Sequence, residues 1–152
     1  MWGLGIISII FSAIIFLEIG NANTSLQVDT DNAAKRVALA QNMVIYKSAV
    51  DAYMQAHPTN SGTIPDSSLT FPSWYVKMAN WTNWSSSGKY AVYPSSSVGE
   101  TITGELSDIT EASMNAGTKQ SGTLWTAGYG NTGITLDPSI PDGSPVYIGS
   151  VN

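Results

Sequence analysis

T-D-N-A-A-K-R-V-A-L-A-Q-N-M-V-I-Y-K-S-A-V-D-A-Y-M-Q-A-H-P, residues 30–58, is the stretch whose reading decides the fold. Ala33, Ala34, Ala38 and Ala40 are strong helix formers. Leu39, Met43, Tyr46, Val50, Tyr53 and His57 alternate spacings of four and three, which keeps them on one continuous helical face. Lys35, Asn42, Asp51 and Gln55 fall largely elsewhere. Thr30 or Asp31 can cap the start, and Pro58 biases His57 away from helical dihedrals, so the helix should stop near Ala56. An amphipathic helix of this kind needs a partner layer. The Met/Tyr/Val stripe reads first as a core face laid on a sheet, and second as a partner groove or coiled-coil seam.

N-terminal to this helix, Asn21–Ser25 reads as a break, placing a linker over residues 21–29. Before the break, residues 2–19 are W-G-L-G-I-I-S-I-I-F-S-A-I-I-F-L-E-I, with no Lys or Arg and one acid, Glu18. About eighteen residues at 1.5 Å rise give roughly 27 Å, close to the thickness of a bilayer core. Residues 1–20 therefore read as a transmembrane anchor, with Trp2 at an interface and Ile6, Ile10, Phe11, Ile14, Phe16 and Leu17 in lipid. A secretory signal cut after Ala22 is the competing reading, supported by the small residues Gly20 and Ala22. The missing basic n-region and the long apolar run favour the anchor. No prepilin-peptidase motif is present, and Glu18 sits at the wrong end of the apolar run for a pilin.

C-terminal to the helix, Asn60-Ser61-Gly62 and Pro65-Asp66 are turn chemistry. Ile64, Leu69, Phe71 and Trp74 are spaced to pin an irregular loop onto the helix. Trp74, Trp81 and Trp84, with Tyr75, form an aromatic group that reads as an interaction surface; sugar stacking is one use of such a group, and covering a small core with the polar tips wet is another. Lys89–Tyr93 alternates like a strand. Residues 101–116 read as a second helix, with Glu105, Asp108 and Glu111 on a solvated face rather than at a cation site. Gly122–Ala127, Gly133–Leu136 and Val146–Gly149 read as further strands. The order predicts an α+β chain: an N-terminal transmembrane helix, then a long amphipathic helix and a second shorter helix packed on a small antiparallel sheet, the domain spanning residues 30–152.

Composition narrows the function. The 152 residues carry six Lys plus Arg against eleven acids, a net charge of -5, which leaves no phosphate-tracking surface and argues against nucleic acid as a partner. No cysteine is present, so thiol catalysis and thiolate metal sites are excluded. The single histidine, His57, has no second imidazole or thiolate with which to share a metal, and no nucleophile elbow, zincin motif or P-loop occurs. The expectation is a non-enzymatic binding domain with no cofactor and no metal.

Several segments then carry a family resemblance: the short apolar N-terminus, the Asn42–Tyr53 helix, Gly62-Thr63-Ile64-Pro65-Asp66 with Leu69, and Pro72 with Trp74. It continues through Gly88-Lys89-Tyr90-Ala91-Val92-Tyr93 and closes with Ser139-Ile140-Pro141-Asp142-Gly143 before Val146-Tyr147. In these the chain resembles the small PilM family of plasmid-borne, type IVB thin-pilus operons, over nearly its whole length. The actin-like cytoplasmic protein that shares the name is a different family, and its nucleotide-binding glycine motifs are absent here. The resemblance implies a single-pass inner-membrane protein with its C-terminal domain in the periplasm, belonging to the pilin transport apparatus or basal body. Its partners would be other pilus-assembly proteins, pilin among the candidates, with homo-oligomerisation left open. A minor pilin or adhesin-like subunit, or a periplasmic glycan-binding module, are the alternatives.

Overall fold

The computed structural model describes the backbone of residues 3–98 and 101–151, and side chains for residues 30–98 and 101–151. The chain divides into two units, Met1–Lys35 and Arg36–Asn152. Helix α1 runs from Gly3 to Ala56 without interruption. The break expected at residues 21–29 does not occur. Asn, Thr and Ser cost at most about 0.7 kcal/mol each relative to Ala in a helix, and no proline intervenes, so extending the helix costs less than ending it and nucleating a second one. It does stop at Ala56: the His57 N–H closes the last turn on Tyr53 and Pro58 follows. Among the described residues no helix is long and apolar enough to cross a membrane. The side chains expected to form the anchor, those of Trp2, Ile6, Ile10, Phe11, Ile14, Phe16 and Leu17, lie outside the described residues.

The second unit is a six-stranded antiparallel sheet: β1 (Trp81–Ser86), β2 (Lys89–Pro94), β3 (Ala116–Gln120), β4 (Thr123–Thr126), β5 (Gly130–Thr135) and β6 (Pro145–Ser150), with helix α2 (Thr103–Ile109) between β2 and β3. The spatial order is β1-β2-β6-β3-β4-β5, so the last strand joins the two hairpin systems. β1–β2 and β3–β4 turn on Ser87-Gly88 and Ser121-Gly122, all four at positive φ. That left-handed pair twists with the strands, which is why a two-residue loop suffices. β1 and β3 escaped the sequence reading, because W-T-N-W-S-S and A-G-T-K-Q are polar and lack a β-branched alternation. The second helix is much shorter than expected: the Thr110 hydroxyl bonds back to the Leu106 carbonyl, and Glu111 and Ala112 take left-handed dihedrals that end it.

Alternation along the strands sorts two apolar layers. On the helix side, Leu39, Met43, Tyr46, Val50 and Met54 of α1 bury against Trp81, Tyr90 and Val92, joined by Ile64, Leu69, and Ile102 and Leu106 of the α2 region. On the outer side, Ala91, Tyr93, Leu124 and Val146 are covered by the strap that follows β5, through Leu136 and Ile140. Lys119 crosses to this strap and donates to the carbonyls of Asp137 (3.0 Å) and Ile140 (2.6 Å), which makes a buried ammonium tolerable. Gly149 has no side chain because the Tyr90 ring occupies the place of its Cβ.

The β1 edge is closed by its own chain. Gly62 and Ser85 exchange backbone hydrogen bonds, and the buried Asn83 amide pairs with both backbone groups of Ile64. At the opposite edge, the N–H groups of Gly133 and Ile134 bond to the side chains of Asn131 and Thr132. Each edge thus has donors already paired within the chain.

Candidate interaction site

The segment from Phe71 to Asn80 crosses from the 3-10 turn at Asp66–Ser68 to β1 and carries the most exposed apolar side chains in the second unit. Trp74 is 69% exposed, Val76 75% and Met78 50%. Their intervening neighbours point the other way. Tyr75 stacks on Phe71 with ring centroids 4.7 Å apart, and Phe71 meets the Tyr46 ring at 5.6 Å. Lys77 folds over Tyr46. From Trp74 to Met78 the side chains therefore alternate between a presented row, Trp74, Val76 and Met78, and an anchored row, Tyr75 and Lys77.

Asn42 holds the segment in place. It lies on α1 beside the core stripe and is buried, so each of its amide atoms needs a partner. Its Nδ2 donates to the Val76 carbonyl at 2.8 Å. Its Oδ1 accepts from the Met78 N–H at 3.0 Å, the Trp81 indole at 2.8 Å and the Tyr75 hydroxyl at 3.2 Å. One side chain thus fixes three points of the loop and the first residue of β1.

A second set of bonds is ionic. The Tyr46 hydroxyl donates to Asp66 Oδ1 at 2.7 Å, and Lys77 Nζ donates to Oδ2 at 2.6 Å. Burial raises the Asp66 carboxyl pKa, but the Lys77 and Tyr46 hydrogen bonds and the Lys77 charge outweigh it, leaving the group below its ordinary value. Burial and the bond to Asp66 push the Tyr46 phenol well up, against a smaller opposing effect of Asn83. Burial and the Asp66 charge push Tyr75 up to about 12. At neutral pH both phenols are donors and Asp66 is an ionised acceptor. The arrangement positions a loop; it contains no activated nucleophile.

The three tryptophans expected on one surface do not share one. Trp74 is presented. Trp81 is 1% exposed and packed under α1, with its indole N–H on Asn42. Trp84 faces the other side of the sheet and, with Ala91, Ile134, Leu136, Ile140 and Ile148, lines a hollow of about 520 Å³. The physical reason is register: within β1, residues 81 and 84 lie an odd number of positions apart and fall on opposite faces. A stacking platform made of all three is therefore ruled out. Val76 and Met78 belong to the presented row and were not singled out; their alternation with Tyr75 and Lys77 was the signal. His57 is exposed, stacks on Tyr53 and bonds to the Tyr53 carbonyl. Among the described residues no three His, Asp or Glu side chains are grouped to hold a metal ion.

Fold and site together define an α+β domain in which two helices cover one face of an antiparallel sheet and a hydrogen-bonded loop presents apolar side chains. The sequence model of the PilM family matches residues 10–148, and the chain belongs to that pilus-related family. Among solved structures, a PilM protein from Escherichia coli B7A superposes with a TM-score of 0.55 at 21% identity, covering 77% of this chain and 93% of that one. It shares the fold. A PilM protein from Pseudomonas aeruginosa 2192 is 26% identical, with a TM-score of 0.43, covering 76% of this chain and 97% of that one. Comparison with curated proteins finds no match.

Proposed function

We propose that the chain is a non-enzymatic component of a type IV thin-pilus assembly machine, working by protein–protein contact at the inner membrane. In this reading the apolar run at residues 2–19 is an uncleaved single-pass anchor, and Arg36–Asn152 lies in the periplasm. Its partners are other proteins of the pilin transport apparatus or basal body. The observation that carries the reading is the loop of Trp74, Val76 and Met78, exposed yet fixed by Asn42 and Asp66. Three large apolar side chains held in water on a pre-ordered backbone forgo burial that folding alone would favour. The arrangement favours a partner that then has little loop entropy to offset on docking. Anchoring raises the effective concentration of the loop beside membrane-bound partners.

The test is the pair Trp74→Ser and Val76→Ser in the full chain. Pilus assembly should fail while the urea midpoint stays unchanged and the protein stays in the carbonate-washed membrane fraction. Normal piliation by a stably folded double variant would refute docking through this loop. Recovery of a soluble mature chain starting near Asn23 would refute the anchor.

One observation favours a second reading, a minor pilin. A pilin requires a helix continuous with its apolar N-terminus, and α1 is continuous from Gly3 to Ala56. Glu18, near the end of the apolar run rather than its start, stands against it. Sheared pili decide between the two: a minor pilin co-purifies with the fibre, an assembly component stays with the cells.

A further inference from the structure

A second group of uncovered apolar side chains lies at the α2 end of the domain, apart from the Trp74 loop. Ile109 ends α2, Met114 sits in the turn before β3, Trp125 is on β4 and Tyr129 is at the β4–β5 turn; all four are exposed. The fold brings these segments together. Thr118 pairs with Trp125 across the strands and its hydroxyl bonds to Thr103 of α2, so Trp125 is on the α2 side of the sheet. Gly128 lies against Ala112, where a Cβ would meet the Ala112 Cβ at 3.5 Å, which seats the Tyr129 turn beside the Met114 turn.

The exposed charges flanking Ile109 and Met114 along the chain are acidic. From Thr101 to Leu136 the chain carries three acids, Glu105, Asp108 and Glu111, and one base, Lys119. Lys119 is buried and committed to the carbonyls of Asp137 and Ile140. Glu105 is paired with Arg36 at 2.6 Å. Asp108 and Glu111 remain exposed beside Ile109 and Met114. A surface that is both apolar and acidic repels a second acidic chain and an anionic lipid headgroup alike, and it attracts cations through the same field.

We propose that this end of the domain is a second docking surface, for a basic protein segment that brings apolar side chains onto Ile109, Met114, Trp125 and Tyr129 and Lys or Arg onto Asp108 and Glu111. It is independent of the Trp74 loop, so the protein bridges two partners. Charge complementarity sets the choice of occupant: like charge between copies, at a chain net charge of -5, disfavours self-pairing here.

The test uses the full chain in a non-ionic detergent and two labelled peptides of about 14 residues, roughly four helical turns. One places Leu and Lys on opposite helical faces, and the other replaces every Lys by Glu. Fluorescence anisotropy should show the Lys/Leu peptide binding at least about tenfold tighter, the preference weakening with salt. The double variant D108K/E111K should lose at least about tenfold of that affinity, and M114Q/Y129S should lose binding with an unchanged urea midpoint. Equal affinity for the two peptides, or unchanged affinity in D108K/E111K, overturns the proposal. So does a concentration-dependent dimer in sedimentation that M114Q/Y129S abolishes, because the occupant would then be a second copy.

Discussion

The 71–80 loop and the 110–115 turn both leave apolar side chains in water, and they are built in opposite ways. The loop is fastened from beneath by hydrogen bonds to the buried Asn42 and to Asp66, so its presented row has one geometry. The turn is ordered mainly by its own backbone, through left-handed Glu111 and Ala112 and short-range bonds such as Ala112 N–H to the Ser107 carbonyl. Non-glycine residues in that region cost of order 1 kcal/mol or more each. The difference separates two routes to a contact surface. One orders the loop through buried polar bonds to a helix, so that its loss should disturb the core. The other uses local strain, and should be disturbed without unfolding the sheet.

The sharpest way to break the comparison is to remove its common support. Met43, Tyr46 and Val50 are fully or almost fully buried on α1, and each truncation to Ala costs about 2–5 kcal/mol. The triple variant should not fold, as read by circular dichroism and proteolysis; a folded triple variant would mean that the α1 stripe is not what holds the sheet. The next largest effect falls on one side only. Asn42→Ala leaves the Trp81 indole, the Met78 N–H and the Val76 carbonyl without their partner. Only the Trp81 indole is left fully buried without a partner, since water can reach the part-buried Val76 carbonyl and Met78 N–H, so the domain should lose about 1–3 kcal/mol in urea unfolding. Hydrogen exchange should rise at residues 76–81 before it rises at 110–116. A loss spread evenly over both regions would erase the distinction drawn between them.

The sequence made the helix face and three of the inner strands legible because their spacing is a periodicity, and periodicity survives without tertiary context. Leu39, Met43, Tyr46 and Val50 are buried as the four-three alternation requires. β2, β4 and β6 fall within a residue or two of their predicted bounds. β1 and β3 were illegible by composition, yet each is followed by Ser-Gly, and that dipeptide is itself a hairpin signal requiring a strand on either side. The polar stretch Asn21–Ser25 was read as a break because its residues favour caps and turns, but without a proline nothing in it forbids a helix. Of the candidate site, Trp74 was legible and Trp81 was misplaced. No local pattern could reveal that Asn42, on the helix, fixes a loop whose first contact lies 33 residues away at Tyr75.

The smallest expected effect tests the ionic half of the loop's fastening. The folded pKa of Asp66 is depressed, so its contribution to stability is present above the unfolded value, about 3.9. That contribution fades as the pH falls through the lower folded value. Glu105 and Asp137 are depressed too and fade in the same direction. Tyr46 is the opposite case: its raised pKa gives a contribution present below the usual tyrosine value, about 10, and lost as the pH rises above it. The Asp66 side chain is 48% exposed, so screening by water limits its share to about 1 kcal/mol or less. Asp66→Asn keeps an oxygen for the Tyr46 hydroxyl and removes the charge that Lys77 meets. Its unfolding midpoint should therefore fall less than the wild type's on acidification from pH 5 to below the ordinary carboxylate range, about pH 3. Most of the remaining slope should come from Glu105 and Asp137, which lie away from the loop. An identical slope in Asp66→Asn would mean that Lys77 contributes nothing to holding the loop, and that Asn42 alone sets its geometry.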